Sequence, residues 1–278
     1  MTEDLVPTPG GYRPKSLVHF VEPGNVLRVT GGRIQKLDLS GKVLADHGVI
    51  PPRPGNKPLM PGNVHLLPGP GLGQGWISYA DWNNGTGTPI SSFKTTFVVP
   101  PPPATQSGQL IYLFPGIQNS FGIYQPVLQW GASPAGGGNY WAVASWYVPY
   151  TGTVFHSQVV PVHPNDQLIG LLTLTSSSGS LFNYNCAFQG IANTSLPLQN
   201  IEELTWCAET LEAYQLTKCS DYPNTLYTAM KAIYIQTGSV NPAIVWTPVT
   251  LVADCGQHTI VSSNSSSSGE IDLYYNKA

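Results

Sequence analysis

Two predicted strands carry the polar side chains whose types and spacing could support chemistry. Gln129 lies near the end of the segment Ile123–Gly131, and Glu209 and Glu212 lie on Trp206–Tyr214. Because side chains alternate along a strand, the two glutamates point to opposite faces. An unpaired carboxylate inside a β-sandwich is costly. Glu209 or Glu212 is therefore expected to face solvent, a hydrogen-bonded partner or a concave cleft.

Common catalytic signatures are missing from the sequence. It has no Gly-x-Ser-x-Gly nucleophile motif, no histidine pair at helical spacing and no glycine-rich phosphate loop, since Gly136–Gly138 is better explained as a turn. The four cysteines show no Cys-x-x-Cys spacing, although Cys207 and Cys219 are close enough for a bridge. We predict no metal site and no cofactor.

The composition indicates a β protein. Only 10% of residues are charged, while 29 glycines and 26 prolines punctuate the chain. From Trp76 onward, about a dozen short alternating segments follow one another with turn residues between them, which favours a sandwich or jelly roll. We predict an N-terminal leader with a β-hairpin over residues 1–50, a Pro/Gly-rich linker or strap over 51–75, and an antiparallel sandwich over 76–278.

The charge is divided unevenly between these segments. Residues 1–57 carry eight of the twelve lysines and arginines against five acids, whereas residues 58–278 carry four against ten. A basic leader could therefore pack on an acidic body, or the two segments could simply differ in surface statistics. An acidic body argues against nucleic-acid binding. There is no apolar run of membrane-spanning length, and the first residues lack the pattern of a signal peptide.

Several segments together resemble the fungal glutamic peptidases, the eqolisins. The resemblance covers about Trp76 to the C-terminus, and the segments that carry it are Phe97-Val-Val-Pro100, Phe114-Pro-Gly-Ile117, Val127-Leu-Gln-Trp-Gly131, Asn139-Tyr-Trp-Ala-Val-Ala-Ser-Trp-Tyr-Val-Pro149, Pro164-Asn-Asp-Gln167 and Ala208-Glu209. The resemblance implies a double-sheet sandwich of lectin type and a basic pro-segment that is released at low pH.

The resemblance also implies site residues. The catalytic glutamine of the family falls on Gln129, and the catalytic glutamate falls on Glu209, although alignment on Trp206 puts Thr205 there instead. In that family the glutamate acts as general base or acid, and the amide orients a water molecule and donates to the oxyanion. Two supporting acids are replaced here by Gln118 and Ser145.

We accordingly predict that Gln118, Ser145, Trp141 and Trp146 line the substrate site. Two functions follow as hypotheses: an acid endopeptidase acting on polypeptides through Gln129 and Glu209, or a non-catalytic lectin-like sandwich that binds carbohydrate on the same concave face. The composition is compatible with extracellular release.

Overall fold

The computed structural model describes residues 4–52, 72, 74–150 and 152–276. Two short 3-10 helices span Lys15–Leu17 and Cys219–Asp221. The strands are β1 (Leu5–Thr8), β2 (Gly11–Pro14), β3 (Val18–Phe20), β4 (Val26–Thr30), β5 (Arg33–Leu37), β6 (Val43–Val49), β7 (Gly75–Asn83), β8 (Ile90–Val98), β9 (Leu110–Gln118), β10 (Gly122–Ser133), β11 (Gly136–Pro149), β12 (Val154–His156), β13 (Val160–Pro161), β14 (Gln167–Ser178), β15 (Leu181–Phe188), β16 (Leu196–Ile201), β17 (Trp206–Tyr214), β18 (Tyr227–Thr237), β19 (Thr247–Thr250), β20 (His258–Ser263) and β21 (Gly269–Tyr274).

Two large sheets form the body of the molecule. The front sheet has the order β19-β7-β17-β9-β10-β11-β12-β3, with β13 also paired to β11, and the back sheet has the order β20-β21-β18-β8-β14-β15-β16-β4-β5-β6. All pairs are antiparallel except β12–β3 and β16–β4. The prediction of an all-β double-sheet sandwich is confirmed.

The main core fills the space between the two sheets. Leu113 of β9 and Leu128 of β10 lie there in one buried cluster with Phe93 and Leu172 of the back sheet. We call this side of the front sheet its inner face. The opposite side, the outer face, carries a second buried cluster that includes Val127. Because both faces of the front sheet are buried, its central strands read as continuous apolar runs rather than as a strict alternation.

The N-terminal strands belong to the same two sheets. Strand β3 pairs with β12 of the front sheet, and β4 pairs with β16 of the back sheet. Leu27 and Ile34 lie in the main core. Strands β1 and β2 form a separate two-stranded sheet, which we call the N-terminal hairpin. Most of the predicted linker over 51–75 lies outside the described residues.

One disulfide joins Cys219 to Cys255, whose Cα atoms are 5.5 Å apart. A bridge between Cys207 and Cys219, which the sequence had left open, is therefore excluded, and Cys207 is a buried thiol on β17. Among the described residues, no helix has the length and hydropathy needed to cross a bilayer.

Candidate active site

The turn between β10 and β11 holds Gln129 in place. Gln129 lies on the outer face, and its amide nitrogen donates to the carbonyl oxygens of Gly131 at 2.9 Å and of Gly136 at 2.7 Å. Gly137 has a φ of +102°, and a Cβ there would lie 2.3 Å from that nitrogen, so the position requires glycine. Since carbonyl oxygens only accept, both amide hydrogens of Gln129 are used, and Oε1 is the amide atom that can accept from a ligand.

Gln129, Tyr112 and Glu212 form a row across three neighbouring strands. Tyr112 of β9 is the register partner of Gln129 on β10 and also of Glu212 on β17. Register partners point to the same face of a sheet, and Tyr112 belongs to the outer-face cluster. The Cα atoms of Gln129 and Glu212 are two strand spacings apart, about 10 Å. A carboxylate and an amide therefore flank a phenol on one face.

Glu212 is fully buried, yet its carboxylate has several hydrogen-bond donors. The main-chain N–H of Gly10 donates to both oxygens, at 2.9 and 3.0 Å, and the hydroxyl of Tyr214 donates to Oε1. Burial raises the pKa of Glu212 to about 7, although the hydrogen bonds from Tyr214 and Gly10 and the charge of Arg13 act in the opposite direction. The group can therefore exchange a proton near neutral or mildly acidic pH.

The N-terminal hairpin fills the concavity above this row. Gly10, at its turn, contacts Glu212 on β17, and a Cβ on Gly10 would lie 3.2 Å from a methyl group of Val148 on β11. Strands β17 and β11 lie three places apart in the front sheet. One residue can touch both only if the outer face is strongly concave. The outer face, which holds Gln129 and Glu212, is therefore the candidate for the concave face that the sequence predicts.

The hairpin also presents peptide groups to the row. The hydroxyl of Tyr112 donates to the carbonyl oxygen of Pro7 at 3.5 Å, while the N–H of Gly10 binds Glu212. Arg13 donates to two main-chain carbonyls at and just after the end of β11, each at 3.4 Å. Tyr12 packs edge-on against Tyr214, with ring centroids 5.2 Å apart. The hairpin thus places one peptide carbonyl and one peptide N–H against side chains of the outer face.

Glu209 lies on the other side of the front sheet. It points into the main core, where the hydroxyl of Thr95 on β8 donates to its Oε1 at 2.5 Å. Burial raises the pKa of Glu209 to about 8, and the hydrogen bond from Thr95 lowers it in part. The expectation that Glu209 shares a groove with Gln129 is wrong, because alternation along β17 turns it inward. The carboxylate that shares the face with Gln129 is Glu212.

The four residues predicted to line the substrate site divide between the two faces. Trp141 and Ser145 point inward, and Trp141 packs edge-on against Trp130 in the main core, with ring centroids 5.4 Å apart. Neither can contact a ligand on the outer face, so this part of the prediction is wrong. Gln118 and Trp146 lie on the outer face, and both are buried.

The sequence contained a signal that would have identified Glu212. Along Trp206–Tyr214, Glu209 shares its face with Cys207, Leu211 and Ala213, whereas Glu212 shares its face with Trp206, Thr210 and Tyr214. The more apolar set is the one that turns into the main core. The identity of Gly10 as the residue that binds Glu212 had no such signal, because it lies 202 positions away in the chain.

A cavity of about 530 Å³ opens beside the turn that holds Gln129. Gly136 and Gly137 form part of its wall, and the exposed rings of Phe20 and Tyr140 form another part. The cavity therefore borders the turn that holds Gln129, although Gln129 itself is buried.

The chain is similar to several solved structures, but its sequence matches no known family or curated protein. No protein-family model matches the chain, and no curated protein matches it. Solved structures to which it is similar include scytalido-glutamic peptidase with a transition-state analogue inhibitor, at a TM-score of 0.48 and 11% identity over 73% of this chain and 98% of that chain. A second structure of that peptidase, with a peptide-based transition-state analogue, has a TM-score of 0.45 and 13% identity over 71% and 97% of the two chains.

A third similar structure is SCP-B, a member of the eqolisin family of peptidases, in complex with the tripeptide Ala-Ile-His. It has a TM-score of 0.42 and 12% identity, over 73% of this chain and 98% of that chain. At these values the likeness carries no argument about function, which has to rest on the contacts of this chain's own residues.

Proposed function

We propose that the protein is an acid endopeptidase whose catalytic pair is Gln129 and Glu212, on the concave outer face of the front sheet. The observation that carries this proposal is the contact between Gly10 and Glu212: a buried carboxylate with a pKa of about 7 binds a peptide N–H in a concavity. Groups that exchange a proton near their working pH are suited to general acid–base catalysis.

The row offers a distinct role for each of its side chains. Glu212 is the group that takes a proton from the attacking water or gives one to the leaving amine. Oε1 of Gln129 accepts a hydrogen bond from that water, since both hydrogens of its amide are held by the Gly131 and Gly136 carbonyls. The Tyr112 hydroxyl, which donates to a peptide carbonyl of the hairpin, is the candidate donor to the oxyanion. This differs from the role that the sequence assigned to Gln129.

In this proposal the hairpin occupies the groove that a polypeptide substrate would use. The leader predicted over residues 1–50 would then block the site through Pro7, Gly10 and Arg13, all of which lie within the hairpin or its turn. Strands β3 to β6 contribute buried residues to the main core and pairs to both large sheets. The blocking element is therefore confined to the first fourteen residues.

The test compares the two glutamates of β17. The full chain is incubated at a series of pH values from 2 to 8, which spans the pKa of Glu212, with a reduced, carboxymethylated protein, and peptide release is followed by mass spectrometry. We expect Glu212→Gln to lower the rate about 100-fold or more, since acid–base groups contribute on that scale. Glu209→Gln, the matched control three residues away, should leave the rate within about twofold.

Cleavage at equal, measurable rates by the Glu212→Gln variant and the unaltered chain would overturn the proposal. Because the hairpin could mask the site, the same assay is run on the Gly10→Val chain, in which the hairpin is expected to be displaced. Absence of cleavage in that chain as well would also overturn it. Carbohydrate binding on this face stays a prediction, which a glycan array would test.

A further inference from the structure

Gln125 is a second glutamine on the outer face of β10, and it takes no part in the proposed catalytic row. It lies between Ile123 and Val127, both members of the outer-face cluster, and its register partner on β11 is Trp146. Its side chain stands beside Gly116 of β9, where a Cβ would lie 3.6 Å from the Cβ of Gln125. Gln125 therefore points from the floor of the concave face toward the space that the hairpin covers.

The amide of Gln125 is fully buried, and no described residue hydrogen bonds to its nitrogen or its oxygen. A buried polar group without a partner costs about 1–3 kcal/mol, and native proteins keep few of them. Gln109, another buried amide, shows the usual arrangement: its nitrogen donates to the carbonyls of Thr105 and Asp221, and its oxygen accepts from the N–H of Ser107. Gln125 departs from this pattern.

The hairpin leaves a second donor on this floor without a partner. The indole N–H of Trp146, next to Gln125, is buried and has no acceptor among the described residues. The hairpin instead places its peptide groups against Glu212 and Tyr112. The hairpin therefore forms hydrogen bonds with Glu212 and Tyr112 on the outer face and forms none with Gln125 or the indole of Trp146.

We propose that Gln125 is a binding subsite for the main-chain N–H and C=O of one residue of an extended polypeptide, with Nε2 donating to the carbonyl oxygen of that residue and Oε1 accepting from its N–H. Trp146 supplies a further donor to a neighbouring carbonyl. A primary amide offers donors on its nitrogen and an acceptor oxygen beside them, which complements the N–H and C=O of one residue in an extended chain, since these two groups point to the same side. The assignment rests on the proposed function, because it takes the substrate to be a polypeptide lying on this face.

The position of the subsite sets a length requirement. Gln125 is four residues from Gln129 on the same strand, which corresponds to about 13 Å. An extended substrate covers that distance with about four residues. Peptides that extend fewer than about four residues from the scissile bond on that side should gain nothing from Gln125.

The test pairs Gln125→Met with the matched control Gln109→Met, because methionine has nearly the shape of glutamine without its hydrogen bonds. Stability is measured by urea unfolding, and the Gln125→Met chain should be as stable as the unaltered chain or more stable. The Gln109→Met chain should be less stable, because it leaves three main-chain groups without their partner.

Binding is measured separately from turnover. A fluorescein-labelled, reduced and carboxymethylated protein is titrated into chains that carry Glu212→Gln and Gly10→Val, so that the groove is open and cleavage is suppressed. We expect Gln125→Met to raise Kd about 10-fold, which corresponds to about 1.4 kcal/mol. Gln109→Met should leave Kd unchanged.

Two results would overturn the subsite. One is a loss of stability in Gln125→Met as large as that in Gln109→Met, which would show that the amide is already satisfied in the folded chain by bound water. The other is an unchanged Kd. Binding that depends on Gln125 without any cleavage would support the subsite and sink the proposed endopeptidase. Cleavage that depends on Glu212 but not on Gln125 would do the reverse.

Discussion

Glu209 and Glu212 lie three residues apart on one strand, and they occupy different environments. Both are fully buried, and burial raises the pKa of each, to about 8 and about 7. Glu209 faces the main core and accepts a hydrogen bond from a side chain of the back sheet, Thr95. Glu212 faces the concave outer side and accepts a main-chain N–H from the hairpin. A glutamate buried between two sheets is a structural group, whereas one that binds peptide can also bind substrate.

The comparison shows that a raised pKa does not identify a functional acid. Desolvation is the largest cause of the shift at both glutamates, so the size of the shift reports burial. The nature of the partner separates them. A Thr95 hydroxyl packed into the core cannot be exchanged for a ligand without opening the sandwich, but a hairpin on the surface of a sheet can be displaced.

The largest effect that we expect is on the pH dependence of the unfolding free energy, and it tests the contrast between Glu209 and Glu212. The folded-state pKa of Glu209 is above its ordinary value of 4.5, so the folded chain keeps a proton that the unfolded chain has lost. Its contribution is fully present below about pH 4.5 and is lost as pH rises through about 8. We expect Glu209→Gln to remove on the order of 4 kcal/mol of the decrease in unfolding free energy between pH 5 and pH 9.

Urea unfolding of both chains at each pH measures this effect. Histidines with lowered pKa values, such as His47, contribute equally to both chains and cancel in the comparison. Glu212→Gln should flatten the same profile by a smaller amount, since its pKa is raised less. A pH profile of Glu209→Gln parallel to that of the unaltered chain would show that Glu209 is not neutral in the core.

The sandwich could be predicted because its cause is local. Strand length, turn residues and the scarcity of charged residues are all visible in the sequence, and they are sufficient for an all-β fold. The membership of β3 to β6 in the two large sheets was not visible, because Leu27 finds its partner Leu198 far along the chain. The disulfide between Cys219 and Cys255 is hidden for the same reason, since spacing does not determine which cysteines meet.

The candidate site was predicted in part. Alternation correctly separated Glu209 from Glu212, and the more apolar face of β17, with Cys207, Leu211 and Ala213, indicated which face turns inward. The partner of Glu209 was not visible, because Thr95 lies on β8 of the back sheet, 114 positions away in the chain. Gln129 was named from its motif, whereas the commitment of its amide hydrogens to Gly131 and Gly136 follows from the geometry of the turn. The sequence showed which groups are present, and tertiary contacts decided what each can do.

An effect of intermediate size is expected from a substitution at Gly10, in the turn of the N-terminal hairpin. Gly10 has a φ of +97°, and a side chain there would meet Val148 at 3.2 Å. We expect Gly10→Val to displace the hairpin, at a local cost of about 1–3 kcal/mol, and to speed hydrogen exchange at the main-chain amide of position 10. The matched control is Gly41→Val, which has a φ of +83° but nothing within 4 Å.

Exchange at position 10 should stay slow in the Gly41→Val chain, because that substitution strains a turn remote from the concave face. Equal exchange rates in the two variants would mean that the close packing of Gly10 against Val148 does not hold the hairpin in place. The contrast between Glu212 and Glu209 would then lose its basis, since an exchangeable peptide partner is what distinguishes Glu212.

The smallest effect concerns the second donor to Glu212. The hydroxyl of Tyr214 hydrogen bonds to its carboxylate and lowers its pKa against the larger effect of burial. Tyr214→Phe should therefore raise the pKa of Glu212 further above about 7, measured by carbon-13 NMR titration of the side-chain carboxyl. Tyr12→Phe is the control, because Tyr12 packs on Tyr214 but donates its hydroxyl to Gln74. A fall in the pKa of Glu212 in Tyr214→Phe would mean that the hydroxyl favours the neutral acid. Glu212 would then resemble Glu209, whose protonated form stabilises the folded chain.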